Sequence, residues 1–494
     1  MNKPMRRVSI FCGLLILALL VRVNWVQFVQ ADELQNDEHN RRVAIERYAN
    51  PRGNIIVDGE PITGSAQTDD PDFAYERTWT DGEMWAPVTG YSSQAYGASQ
   101  LEAINDSILT GDDDRLFFDN TIDMLTGEDQ RGGNVVTTLN GAAQEAAYQG
   151  LMDLPGDAKG AVAAIDPRTG AILAMASAPS YDPSSFAGYG AEDEEAWISL
   201  NEAEDQPMLN RALRETYPPG STFKVVTAAA ALENGLVDDV DEGTDTPDPY
   251  HLPETQDLPQ NYIPNPIDGV GCEDASIRVA LQWSCNTVFA NLSDQVGNED
   301  MMAMAEEFGY NEEQFVPVRS SESVYPEDNR PQNAMAGIGQ ASNRATPLQM
   351  AMVASAVAND GVLMEPYMVD QLVAPNLDVI EQHDPQELSE PLSAENAQML
   401  QDAMETVVEE GTGESAAIGG VTVGGKTGTA QHGLNNEELP YAWFISYAMT
   451  DDGSPVAVAV VVENGSEDRD EIGGGALAGP IAQDVMEAVL DSES

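Results

Sequence analysis

Lysine is nearly absent from this chain. Only four occur, at positions 3, 159, 224 and 426, against eighteen arginines, and 84 acidic residues face 22 basic ones for a formal net charge of −62. Such a surface repels nucleic acid phosphates, which excludes DNA and RNA as partners. The acids are scattered through TDDPD (68–72), TGDDD (110–114) and AEDEEA (191–196) rather than gathered in one tail. Their self-repulsion opposes the compact state in dilute buffer, and salt relieves it by screening. A haloadapted surface is expected; an ordinary solvated acidic face is the alternative.

Cysteine and histidine are scarce too. Three cysteines cannot form a disulfide framework, but Cys272 and Cys285 are placed to pair across a short loop in an oxidising exterior, whereas Cys12 lies in an N-terminal apolar run. The four histidines (39, 251, 383, 432) are dispersed and no C-x-x-C occurs, so neither a metal nor a cofactor is expected.

What is present suggests two or three domains, with 42% hydrophobic residues among 494 to fill their cores. Lys3, Arg6 and Arg7 precede an apolar run from Val8 to Val21 that reaches bilayer length by Val29 if Arg22 snorkels. Residues 1–7 are read as a cytoplasmic tail and 8–30 as a single-pass anchor, with everything after it exported. The rival is a signal peptide cleaved after Val29-Gln30-Ala31. Residues 31–156 are mixed, turn-rich and free of any catalytic cluster, as in a noncatalytic pedestal.

The stretch 157–494 reads as one α+β domain. KGAVAAIDPRTGAILAMASAPSYDP (159–183) has two apolar runs about a turn, a β-hairpin pattern. VTVGGKTGTAQ (421–431), YAWFISYAM (441–449) and PVAVAVVVENG (455–465) read as three more strands, and GPIAQDVMEAVL (479–490) as a covering helix. Helical segments such as STFKVVTAAAALENG (221–235) and TPLQMAMVASAVANDG (346–361) lie between. The architecture expected is a central antiparallel sheet, built from both ends of the domain, beside a helical block.

The rarity of lysine makes Lys224 informative. In YPPGSTFKVVTAAAAL (217–232), Pro218 and Pro219 hold the chain out of helix, Gly220 permits a tight entry, Ser221 opens a helix and Gly235 ends it. That helix is apolar almost all round, as in a buried core helix, and Ser221 and Lys224 share one face. A serine at a helix N-terminus has free N–H groups beside it to stabilise an oxyanion, and a desolvated lysine can take its proton without any histidine. Ser-x-x-Lys alone is weak, because a capping serine followed by a snorkelling lysine matches it equally.

Two further motifs change that. LQWSCNTVFA (281–290) contains Ser284-Cys285-Asn286, and Lys426-Thr427-Gly428-Thr429 falls on an expected strand. Ser-x-x-Lys, Ser-x-Asn and Lys-Thr-Gly in this order are shared by β-lactamases and penicillin-binding proteins. Over nearly its full length the chain resembles the class B penicillin-binding proteins, most of all the A type of actinobacteria. PRGNIIVDG (51–59), RGGNVVTTLN (131–140), NRALRETYPPGSTFKVVT, GIGQASNRATPLQMA (337–351) and GGALAGPIAQDV carry the likeness beside the motifs and the membrane segment.

The resemblance implies a peptidoglycan D,D-transpeptidase. Ser221 would attack the penultimate D-alanine carbonyl, Lys224 would be its base, and Ser284 would relay a proton to the leaving amine. Asn286 would hold Lys224 and a substrate amide, while Lys426, Thr427 and Thr429 would bind the terminal carboxylate. Backbone N–H groups of Ser221 and Thr429 would form the oxyanion hole, and Gly428 would let substrate lie close against the strand. Implied partners are stem peptides, β-lactam antibiotics, the membrane, and a polytopic glycan polymerase of the shape, elongation, division and sporulation family. The acidity departs from the family and bears on working salt.

A β-lactamase shares the motifs but is usually smaller and soluble. A D,D-carboxypeptidase uses water as acceptor, and a class A synthase needs a glycosyltransferase domain before Ser221. A noncatalytic scaffold or β-lactam sensor keeps the same fold. GVTVGGKT (420–427) also satisfies the nucleotide-binding pattern G-x-x-x-x-G-K-T, which requires a strand before it and a helix after. Elsewhere, Arg52-Gly53 and residues 131–134 are expected to shape turns, and Trp443 and Phe444 to pack the sheet. Tyr217 suits cleft or core, and Cys285 a packed or bonded residue rather than a nucleophile.

Overall fold

The computed structural model describes residues 3–30, 45, 47–116, 131–267, 269–433 and 436–493. The first helix, α1 (Lys3–Phe28), is apolar and long enough to cross a membrane, and none of its residues is buried against the rest of the chain. Near its end Arg22 Nη1 donates to Gln30 Oε1 at 2.9 Å, carrying its charge towards the helix terminus. Residue 31, which completes the alternative cleavage signal, lies outside the described residues.

In chain order there follow β1 (Ile55–Val57), β2 (Glu60–Pro61), β3 (Asn134–Thr137), α2 (Gly141–Met152), β4 (Lys159–Ile165) and β5 (Ile172–Ala178). The helical block contributes α3 (Lys224–Glu233), α4 (Ile277–Gln282), α5 (Asn286–Val296) and α6 (Pro347–Ala358). Then come β6 (Val369–Val373), β7 (Val379–Gln382), α7 (Ala394–Glu410), β8 (Thr422–Ala430), β9 (Tyr441–Thr450), β10 (Gly453–Glu463) and α8 (Gly479–Glu493).

The smaller five-stranded sheet has the order β7-β6-β3-β1-β2. Asp58 and Gly59, both at positive φ (50° and 80°), make the two-residue turn between β1 and β2. Two of its strands come from residues 369–382, so a boundary at residue 156 divides the chain but not this sheet. In the other direction, α2 lies before residue 156 yet packs on the larger sheet through Ala143, Ala147 and Leu151. Arg52 does more than shape a turn. Its Nε and the Nε of Arg77 each donate to the buried Glu102 carboxylate, at 3.0 and 2.7 Å, forming a buried ion cluster that also reaches the Gly53 carbonyl just before β1. The glycines at 53 and 132 permit backbone crossings: a Cβ on Gly53 would lie 1.7 Å from Gly133 O.

The larger sheet is antiparallel throughout, in the order β8-β9-β10-β4-β5. Alternation along β10 sorts its two faces. Val456, Val458, Val460 and Val462 join the layer of α2 and α8, whereas Ala457, Ala459 and Val461 face the helical block. Small residues at 161, 163, 457 and 459 let α6, itself wholly buried, lie close against that face. Trp443 and Phe444 are both buried on opposite faces of β9. β8 runs through the supposed nucleotide loop at 420–427 and leads to its antiparallel partner β9, which removes the strand–loop–helix context that pattern requires. β8 is an edge strand, and its unpaired side lines the cleft.

Candidate active site

Ser221 lies in a 3₁₀ turn, Gly220–Phe223, and α3 begins only at Lys224. The expected helix start at Ser221 is thus tighter than an α-turn. The reason is Gly220, whose φ of +55° bends the chain sharply after the two prolines. With three residues per turn, Ser221 and Lys224 eclipse each other. The turn is held from three sides. Gly220 N donates to Gly339 O at 2.9 Å, Trp443 Nε1 donates to Pro218 O at 3.1 Å, and a Cβ on Gly220 would touch Ala430 at 3.0 Å. Gly339, in the stretch 337–351, is equally constrained: at φ +72° its Cβ would lie 2.0 Å from Gly220 O.

Lys224 is completely buried and touches three oxygens: Ser284 O at 2.7 Å, Asn286 Oδ1 at 2.7 Å and Ser284 Oγ at 3.0 Å. An ammonium would donate to all three. A neutral amine would donate to the two carbonyl oxygens and accept from the Ser284 hydroxyl, so the cage suits both protonation states. Burial, and secondarily the charge of Lys426, hold Lys224 well below the ordinary lysine range. Among the described residues the Ser221 hydroxyl has no hydrogen-bond partner.

Ser284 and Asn286 are set by the turn between α4 and α5. Ser284 adopts φ 59°, unusual for a residue with a side chain, which aims both its carbonyl and its hydroxyl at Lys224. Asn286 Nδ2 donates to Pro264 O at 2.8 Å, tying this turn to the overlying loop. Between them Cys285 is disulfide-bonded to Cys272, with Sγ atoms 2.01 Å apart and both residues buried.

On the opposite wall Lys426 is fully buried, and burial pushes it down to about 7. Its Nζ donates to Thr427 O at 3.0 Å. Thr427 Oγ1 pairs with Thr412 Oγ1 at 2.7 Å, while Thr429 is exposed at the cleft edge. The absence of a side chain at Gly428 has an internal cause. A Cβ there would lie 2.9 Å from Trp443 Cβ and 3.0 Å from Thr222 Cγ2, so the glycine lets β8 approach the Ser221 turn. Ser221, Ser284, Asn286, Thr427, Gly428 and Thr429 all line one cleft of about 660 Å³. Tyr217 is a core residue, stacked edge-on against Tyr441 and Trp443.

Three contributors escaped the sequence reading. Gly339 supports the nucleophile turn, the loop at 264–265 covers Asn286, and Arg469 braces the connection between β8 and β9. The Arg469 guanidinium donates to Gln431 Oε1 and to the carbonyls of Asn436 and Glu438. The stretch GIGQASN and the disulfide partner at 272 were visible signals for the first two; an isolated arginine gave none.

A serine stacked on a caged lysine, beside an antiparallel edge strand with a buried second lysine, defines the serine acyltransferase class of β-lactamases and penicillin-binding transpeptidases. Comparison with known proteins narrows this. The family "Penicillin binding protein transpeptidase domain" matches residues 160–487, and "Penicillin binding protein A dimerisation domain" matches residues 52–135. The peptidoglycan D,D-transpeptidase PbpA of Mycolicibacterium smegmatis is 39% identical over 495 residues, 99% of each chain. Its counterpart in Mycobacterium tuberculosis is 39% identical over 501 residues, 100% of each chain. The ceftriaxone acyl-enzyme of M. tuberculosis penicillin-binding protein A superposes with a TM-score of 0.84 at 38% identity, covering 90% of this chain and 100% of that one. This chain belongs to the penicillin-binding protein transpeptidase family.

Proposed function

We propose that the chain is a membrane-anchored peptidoglycan D,D-transpeptidase that works through a Ser221 acyl-enzyme. The observation that carries this reading is the Lys224 cage, which accommodates a neutral amine next to the serine. Ser221 Oγ attacks the carbonyl carbon of the penultimate D-alanine, and its proton passes to Lys224. Backbone N–H groups of Ser221 and Thr429 receive the developing oxyanion. Ser284 passes a proton to the nitrogen of the terminal D-alanine as that bond breaks. An amine of a neighbouring stem peptide then attacks the ester, forming the crosslink and restoring the serine. Asn286 orients Lys224 and a substrate amide, and Lys426, Thr427 and Thr429 hold the terminal carboxylate. The peptide lies as an added strand on the free edge of β8, beside Gly428.

The proposed organisation is a cytoplasmic tail (1–7), an anchor (8–30), a noncatalytic pedestal (31–156) completed by β6 and β7, and an extracytoplasmic transpeptidase domain (157–494). A polytopic glycan polymerase of the shape, elongation, division and sporulation family is the partner we propose for anchor and pedestal. The acidic surface fits operation in concentrated salt, where screening relieves its self-repulsion. The test is covalent labelling of the full-length chain in detergent by a fluorescent penicillin, with Ser221→Ala as comparison, across a range of salt. Labelling lost in the variant and strengthened by salt is expected. A folded chain unlabelled at every salt concentration would instead be a noncatalytic scaffold.

A further inference from the structure

The helix Ala191–Glu202 lines no part of the Ser221 cleft, and none of its residues is buried. Two aromatic pairs accompany it. Tyr96, in the hairpin that joins Ser92–Ser93 to Gly97–Ala98, lies flat on Trp197 of this helix, with ring centroids 4.4 Å apart and planes 4° apart. Tyr189, two residues before the helix, leans on Phe73 at 5.2 Å and still leaves 53% of its surface exposed. That exposure is built in, because the tyrosine is held from several sides. Asp193 accepts from Gly188 N and Gly190 N at 2.7 and 2.8 Å, Gln94 N donates to Ala187 O at 2.8 Å, and the Tyr189 hydroxyl donates to Asp70. With its hydroxyl committed, Tyr189 presents a ring face to solvent.

The exposed side of the helix continues this surface as a shallow groove of about 410 Å³, lined by Glu194, Glu195, Ile198 and Ser199 after Ala191. Desolvation, then the charges of Glu194 and Asp193, raise the Tyr96 phenol above its ordinary range, so these carboxylates stand near that ring. No lysine or arginine lines the groove among the described residues. Ring faces receive the C–H faces of a sugar, and carboxylates accept from its hydroxyls. Phosphate-bearing polymers and anionic lipid headgroups would instead meet like charge. A cationic peptide would be attracted to the carboxylates, but only by a force that concentrated salt screens.

We propose that Tyr189, the Tyr96–Trp197 pair and the groove beside them bind the uncharged sugars of the glycan strand that carries the stem peptides. Donors on the polymer are then held by their sugars as well as by their peptide, which raises the local concentration of peptide at the cleft. The proposal rests on the transpeptidase reading above, which brings a glycan strand to this surface.

The test uses the full-length chain in detergent and about 2 M salt, with Ser221 first acylated by penicillin so that the peptide cleft is closed. The probe is glycan strand stripped of its stem peptides by an amidase. Binding is expected, weaker by about fivefold or more in Tyr189→Ala and in Tyr96→Ala, and largely kept in Tyr189→Phe, which retains the ring. In the unacylated chain, Tyr189→Ala should raise KM for pentapeptide-bearing glycan more than for the free pentapeptide, narrowing the advantage of the polymer by about fivefold. A structural defect would instead impair both substrates alike, and that result overturns the proposal. So does a chain that labels with penicillin but leaves the stripped glycan unbound, or one that binds oligolysine at low salt and no glycan at all. A chain that penicillin does not label overturns the transpeptidase reading instead.

Discussion

Replacing Lys426 with methionine should give a protein that is more stable and inactive. Burial moves this lysine from 10.5 to about 7, and its Nζ has one hydrogen-bond partner among the described residues, the Thr427 carbonyl. Between about 7 and 10.5 the unfolded chain binds a proton that the folded chain sheds, so stability must rise with pH across that window. The slope is about 1.4 kcal/mol per pH unit, and the total withheld at pH 7 is about 4 kcal/mol. Methionine fills a similar volume without the charge. After allowing for the lost hydrogen bond and imperfect packing, a gain of about 2 kcal/mol at pH 7 is expected. Lys224, displaced in the same direction by burial and by Lys426, retains its own slope, so the variant flattens the pH dependence without abolishing it. Urea unfolding at pH 7.5, 8.5 and 9.5 and fixed high salt measures both quantities, with penicillin acylation as the activity readout. A variant less stable than the parent at neutral pH, or one with an unchanged slope, would refute the argument.

Two other perturbations probe the supports of the site. Replacing both Cys272 and Cys285 with alanine opens a crosslink between residues 13 apart and should lower stability by about 3 kcal/mol. Since Cys285 sits between Ser284 and Asn286, penicillin acylation should slow as well, and acylation unaffected by the loss would show that the bond does not position them. Arg469→Ala should raise KM for a donor peptide several-fold with little change in kcat, because it frees the Gln431 loop without touching Lys224, and Arg469→Lys should recover part of the loss. A parallel fall in melting temperature and kcat, with no rescue by lysine, would assign Arg469 a purely structural role.

Residues whose constraint is local were legible in the sequence; residues whose constraint arrives from elsewhere in the chain were not. The period-two pattern of PVAVAVVVE announces a strand buried on both faces, and the hairpin at 159–178 and helix at 479–493 follow from equally local signals. The motifs were legible because chemistry demands particular side chains at fixed spacing. By contrast, residues 369–382 fold as β6 and β7 only because β3 offers them an edge more than two hundred residues upstream in the chain. The spacing Ser-x-x-Lys likewise says nothing of how closely β8 approaches the serine. That approach depends on glycines at 220, 339 and 428, each with a neighbour where a side chain would stand. Gly428 illustrates the consequence. Read alone, it makes room for substrate; in the fold, its missing Cβ is the space taken by Thr222 and Trp443. An added methyl would therefore act first on the distance between the two walls of the cleft, and only through it on substrate.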